Sequence, residues 1–115
     1  MKNNLFAAIL RNDKEWTYEV FLINNTGTSI TVSGETSMYE EDLASSVAKI
    51  EKQTMKPFSS ISLEKGNRNT LDFTIWYRLF IGSEIFRFCA NQGIEVEIPI
   101  LNQSGQRIEL EKVLR

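Results

Sequence analysis

The chain has 115 residues, 42% of them hydrophobic and 24% charged, with a formal net charge of −2 at pH 7. That is ordinary globular usage for a single domain over residues 1–115, and it excludes a chain disordered throughout. Histidine is absent and cysteine occurs once, which excludes Ser-His-Asp and Cys-His catalysis, an intrachain disulfide, and zinc sites built on histidine or several thiolates.

The first apolar stretch, Leu5 to Leu10, is ended by Arg11 and is too short for a secretory h-region. It is expected to be a strand. No later run approaches the roughly 20 apolar residues of a membrane helix, so no membrane partner is expected. Together with the lone cysteine, this favours a cytoplasmic setting.

Trp16, Tyr18, Val20 and Leu22 alternate with Thr17, Glu19 and Phe21, and the run ends in Asn24-Asn25-Thr26-Gly27. Alternation of period two followed by residues tolerant of positive φ predicts a β-hairpin from Glu15 to Ser33.

The segment Gly34 to Lys56 supports two readings. Leu43, Val47 and Ile50 have helical spacing, and Ser37 and Glu40 have capping-box spacing, which predicts a helix from about 40 to 54. With only three apolar anchors, the alternative is a loop followed by a strand from about 46 to 54. The acidic run Glu40-Glu41-Asp42 lacks the alternating ligands and turn glycine of a calcium loop, and reads as a solvated loop or helix start.

Phe58 to Glu64 is a weaker strand, followed by the polar turn Lys65 to Asn69, which has no phosphate-loop pattern. The clearest element is Leu71 to Ile81. Every odd position (Leu71, Phe73, Ile75, Tyr77, Leu79, Ile81) is apolar or aromatic, while the even positions are Asp72, Thr74, Trp76, Arg78 and Phe80. Burying such side chains contributes about 1.5–3 kcal/mol each, so this strand is expected at the centre of the fold.

Glu84 to Cys89 forms the next strand, with Cys89 a buried thiol rather than a nucleophile, because its neighbours are aromatic. Ile94, Val96, Ile98 and Ile100 alternate with Glu95, Glu97 and Pro99, and Ile108 and Leu110 follow the turn Asn102 to Gly105. Proline donates no ladder hydrogen bond, so Pro99 places its strand at an edge or a bulge. Glu95 and Glu97 lie about 7 Å apart by strand rise, which would suit a carboxylate pair, but alternate polar residues mark any half-exposed strand.

About seven to nine short strands with regular turn signals predict an all-β fold, an antiparallel β-sandwich with room for one short helix. An orthogonal barrel is the fallback. Neither a catalytic set nor a cofactor or metal site is expected, and the chain is not read as an enzyme.

The residues that invite a function are aromatic. Trp76 and Phe80 flank Arg78 on the polar face of the long strand, and Phe21 lies on the polar face of the hairpin. Aromatics with arginine on an exposed sheet compose a protein-contact patch, for a protein partner or for self-association. The competing reading buries both faces of a central strand. A further alternative is a small-ligand or carbohydrate module stacking its ligand on Trp16, Trp76 or Tyr39. Lys49, Lys52 and Lys56 come closest to a basic cluster and Glu51 sits among them, so no nucleic-acid partner is expected.

The run Trp16 to Gly27 resembles the early hairpin of immunoglobulin-like sandwich domains. Lys56 to Leu63, with Leu71 onward, resembles the accessory sandwich domain beside small MutS-related nuclease domains. The nuclease residues have no counterpart here. The resemblance therefore implies an interaction or accessory role.

Overall fold

The computed structural model describes residues 4–40 and 43–114. Its strands are β1 (Leu5–Asn12), β2 (Thr17–Asn24), β3 (Ile30–Glu40), β4 (Leu43–Met55), β5 (Ser59–Asn67), β6 (Thr74–Ile81), β7 (Glu84–Cys89), β8 (Ile94–Ile98), β9 (Gln103–Glu109) and β10 (Glu111–Lys112). They form two five-stranded antiparallel sheets, ordered β5-β2-β1-β9-β8 and β10-β7-β6-β3-β4. Among the described residues there is no α-helix; two 3-10 turns, Arg68–Asp72 and Pro99–Leu101, join strands.

The all-β expectation holds at the level of two packed antiparallel sheets. The structure corrects the hairpin expected from Glu15 to Ser33: β2 pairs with β1 and β5, whereas β3 pairs with β4 and β6 in the other sheet, so the Asn24–Gly27 segment is a crossing between sheets. It also corrects the helical reading of 40–54. Residues 43–55 form an extended strand paired with β3 over its length, from Glu40↔Leu43 to Ile30↔Met55. The physical reason is that pairing with β3 satisfies backbone groups along the thirteen residues of β4 and buries Ile50 and Met55 in the core, whereas a helix there would have had only three apolar anchors to bury. Ser37 is accordingly inside β3 rather than at a helix cap. Glu41 and Asp42 lie outside the described residues. The ten described strands exceed the expected seven to nine, the last being the two-residue β10. The long strand also starts later than its alternation suggests, because Leu71 and Asp72 belong to a 3-10 turn.

The main core fills the space between the sheets. Ala7 and Ile9 of β1 and Tyr18, Val20 and Leu22 of β2 meet Ile75, Tyr77 and Leu79 of β6, with Phe88, Val32, Ile50 and Met55. A second, smaller cluster covers the far side of the first sheet: Phe6, Ala8, Ile23 and Ile98, with Phe21, Ile100 and Leu101 packed on it. Pro99 ends β8, which is a sheet edge as proline demands, and the 3-10 turn carries Ile100 and Leu101 into this cluster.

Asn24 ties the two crossings between sheets together. It is fully buried; its amide donates to the carbonyls of Thr28 (2.8 Å) and Lys56 (3.0 Å), and its oxygen accepts from Thr26 Oγ1 (2.6 Å). A buried amide with its groups satisfied holds both turns in place, which is why asparagine serves here as more than a turn former.

Candidate functional site

The outer face of the second sheet carries the exposed aromatic and charged side chains. β6 alternates strictly: Ile75, Tyr77 and Leu79 are buried, whereas Arg78 is exposed, Phe80 is 37% exposed and Trp76 is half-buried. The described residues of the Gly34–Lys56 segment do not cover this face. They extend the sheet sideways as β3 and β4 and leave the even positions of β6 open.

Strand register assembles a row of charge across all five strands. Lys49 of β4 faces Glu35 of β3, Glu35 faces Arg78 of β6, Arg78 faces Arg87 of β7, and Arg87 faces Glu111 of β10. The row has one mismatch, because the two arginines sit opposite one another, and like charges directly across a ladder repel. Arg87 is compensated by Glu111 at 2.9 Å, and that hydrogen-bonded pair holds the Glu111 carboxyl below its ordinary range. Among the described residues, no carboxylate lies within ion-pair distance of Arg78; its guanidinium instead lies 6.0 Å from the Phe80 ring centroid.

Aromatics flank the row on both sides. Arg87 lies 5.3 Å from the centre of the Trp76 ring, a cation–π distance. A shallow groove of about 720 Å³ runs beside them, lined by Glu35, Ser37, Tyr39, Trp76, Arg78 and Arg87 among others. Phe80 lies on the other side of the row, bordering two smaller hollows with Val47 and Lys52.

The structure brings Trp76, Arg78 and Phe80 together and separates Phe21 from them. Phe21 belongs to the opposite sheet and packs on its outer apolar cluster. Tyr39 and Trp76 line one groove, but Trp16 sits in the β1–β2 turn. There its indole donates to Asn69 (2.9 Å), and Arg68 covers one ring face at 4.6 Å. Cys89 is a buried thiol in register with Trp76. Glu95 and Glu97 are exposed on the edge strand β8, and Glu97 accepts a hydrogen bond from Ser104 (2.9 Å). Among the described residues, no three His, Cys, Asp or Glu side chains gather as metal ligands would, and no helix is long and apolar enough to cross a membrane.

One polar cluster was not apparent from sequence. Tyr18 of the first sheet (3.3 Å) and Tyr77 of the second (2.5 Å) both donate to Glu64 Oε1. Burial, reinforced by the Glu64 charge, pushes Tyr18 up to about 12 and Tyr77 higher still than an ordinary phenol. The available signal was tyrosine, rather than phenylalanine, at inward positions of two core strands, since a buried phenol needs a partner. No family model, curated protein or solved structure matches the chain.

Proposed function

We propose that this protein is a non-enzymatic interaction domain that binds a partner protein through the outer face of β3, β6 and β7. The observation that carries the reading is Arg78. It is an exposed guanidinium without an ion-pair partner among the described residues, set between Trp76 and Phe80 on an uncovered sheet. Arginine and large aromatics dominate the energetics of protein interfaces, and Arg78, which faces Glu35 on one side and Arg87 on the other without an ion pair to either, is placed to take a carboxylate supplied by a partner.

The finer reading of the fold is an immunoglobulin-like sandwich, and the connectivity supports it. Constant-type immunoglobulin domains keep strands one, two, four and five in one sheet and three, six and seven in the other. Here β1, β2 and β5 share one sheet and β3, β6 and β7 the other, with β4 moved beside β3 and a β8–β9 hairpin added next to β1. A buried free thiol suits a reducing, cytoplasmic setting.

The test is the triple substitution Trp76→Ser, Arg78→Ser and Phe80→Ser. It is expected to abolish capture of partner proteins while circular dichroism and the thermal transition stay close to wild type. A triple variant that unfolds would make these side chains core and remove the basis of the reading.

One observation favours a second reading: Tyr39 and Trp76 line the same groove, as a stacking platform for a sugar would require. Titration of tryptophan fluorescence with a broad carbohydrate panel is expected to give no response. A saturable change lost on Tyr39→Ala would replace the protein-binding reading with this one.

A further inference from the structure

Among the described residues, β4 is the terminal strand of the second sheet and pairs along one side only, with β3. Its thirteen residues are long for an edge, since strands average about 5–6 residues and natural edges are kept short, proline-bearing, charged, bulged or covered; of these devices β4 has charges of both signs and two register shifts against β3. Leu43–Met55 contains neither proline nor glycine, and Val47 is 63% exposed. Such an edge presents backbone donors and acceptors to a further strand.

The sequence of β4 selects that strand. Lys49 and Glu51 flank Ile50, and both are exposed. In a two-fold antiparallel pairing centred on Ile50, Lys49 of each copy stands opposite Glu51 of the other, giving two complementary cross-strand pairs. The edge strand β8 behaves oppositely. Centring it on Val96 sets Glu95 against Glu97 twice, and Pro99 follows its last residue. β10 has only two residues.

We infer that two copies of this chain associate through β4, joining their second sheets into one continuous sheet about a two-fold axis at Ile50. The pairing uses the long edge of each copy and leaves β10 at both ends, so assembly stops at the dimer. A bulge beside the axis, where Glu51 and Lys52 together face Ser33, twists the edge and keeps the zipper short. The Trp76–Phe80 faces of the two copies then lie side by side, free for a bivalent partner.

Charge reversal tests the register. Light scattering across a concentration series is expected to show a dimer for the wild type. Lys49→Glu and Glu51→Lys should each raise its dissociation constant by about tenfold or more, because two attractive pairs become two repulsive ones. The combined K49E/E51K chain should return to within about threefold of wild type, because the pairs are restored with their signs exchanged. Glu51 faces the neutral Ser33 within its own sheet, so E51K reads the interface without an intramolecular charge clash. A wild type that stays monomeric up to millimolar concentration overturns the inference. So does a folded E51K chain that dimerises as wild type, or a double variant that folds as wild type by circular dichroism, despite Glu35 opposite position 49, and shows no recovery. The Trp76, Arg78 and Phe80 triple substitution should leave the dimer intact, which separates this edge from the outer face.

Discussion

Gly34→Ala is expected to destabilise the protein by about 3 kcal/mol or more, which lowers the thermal midpoint by about 10 °C for a domain of this size. Gly34 lies in β3 between two neighbours, paired with Ile50 on one side and Leu79 on the other. A Cβ at this position would overlap the carbonyl oxygen of Arg78, with the Arg78 carbonyl carbon and Leu79 Cα both at 3.2 Å. These are backbone atoms, so no rotamer change relieves the overlap. β3 and β6 must instead move apart, and the β3–β6 ladder supports both the core and the outer face. Gly27→Ala is the matched control: nothing lies within 4 Å of its added Cβ, and its effect should stay within about 0.5 kcal/mol. Urea unfolding of the two variants decides the matter. Equal midpoints would mean that the strands slide apart at little cost.

The parts of this fold that were legible from sequence are those decided by local alternation. Ile75, Tyr77 and Leu79 pointed inward as their spacing implied, and so did Tyr18, Val20 and Leu22. The Asn24–Gly27 segment was legible only as a chain break. The expected hairpin across it is a crossing between sheets, and its residues do not use the positive φ that asparagine and glycine allow. β4 was ambiguous because its spacing of Leu43, Val47 and Ile50 fits a helix. The choice was made by β3, whose unpaired side is a fact of topology rather than of local pattern. Position Val47, counted as an apolar anchor for a helix, is instead exposed at the sheet edge.

The candidate site shows the same division. Parity along β6 put Trp76, Arg78 and Phe80 on one face, and the structure keeps them there. Parity could not say that Phe21 belongs to the other sheet, nor whether Gly34–Lys56 would lie across the face or beside it. The charge row from Lys49 to Glu111 uses five strands, so it exists only once register is set. The same holds for Glu64, which ends an unremarkable strand in the sequence and sits between two core tyrosines in the fold.

That buried cluster carries the second large effect, at Tyr77. Its side chain is fully buried, stacks on Phe88 with ring centres 4.8 Å apart, and donates to Glu64. Tyr77→Ala removes the ring and leaves a cavity between the sheets, at a cost of about 3–5 kcal/mol. Tyr77→Phe keeps the packing and removes one charge-assisted hydrogen bond, at a cost of about 1–3 kcal/mol. The gap between the two variants in urea unfolding measures packing separately from the hydrogen bond. Alkaline pH supplies an independent check. In the folded chain both phenols hold their protons more tightly than the ordinary 10.0, Tyr18 up to about 12. Above the ordinary value the unfolded chain releases protons that the folded chain keeps, so stability falls with rising pH. The contribution is fully present below the unfolded phenol range and is lost as pH climbs through the folded one. Tyr77→Phe removes one of the two groups, so its unfolding midpoint should fall less steeply than wild type between pH about 9 and about 11. Identical slopes would mean that Tyr77 titrates as an ordinary phenol and that its bond to Glu64 contributes nothing to holding the two sheets together.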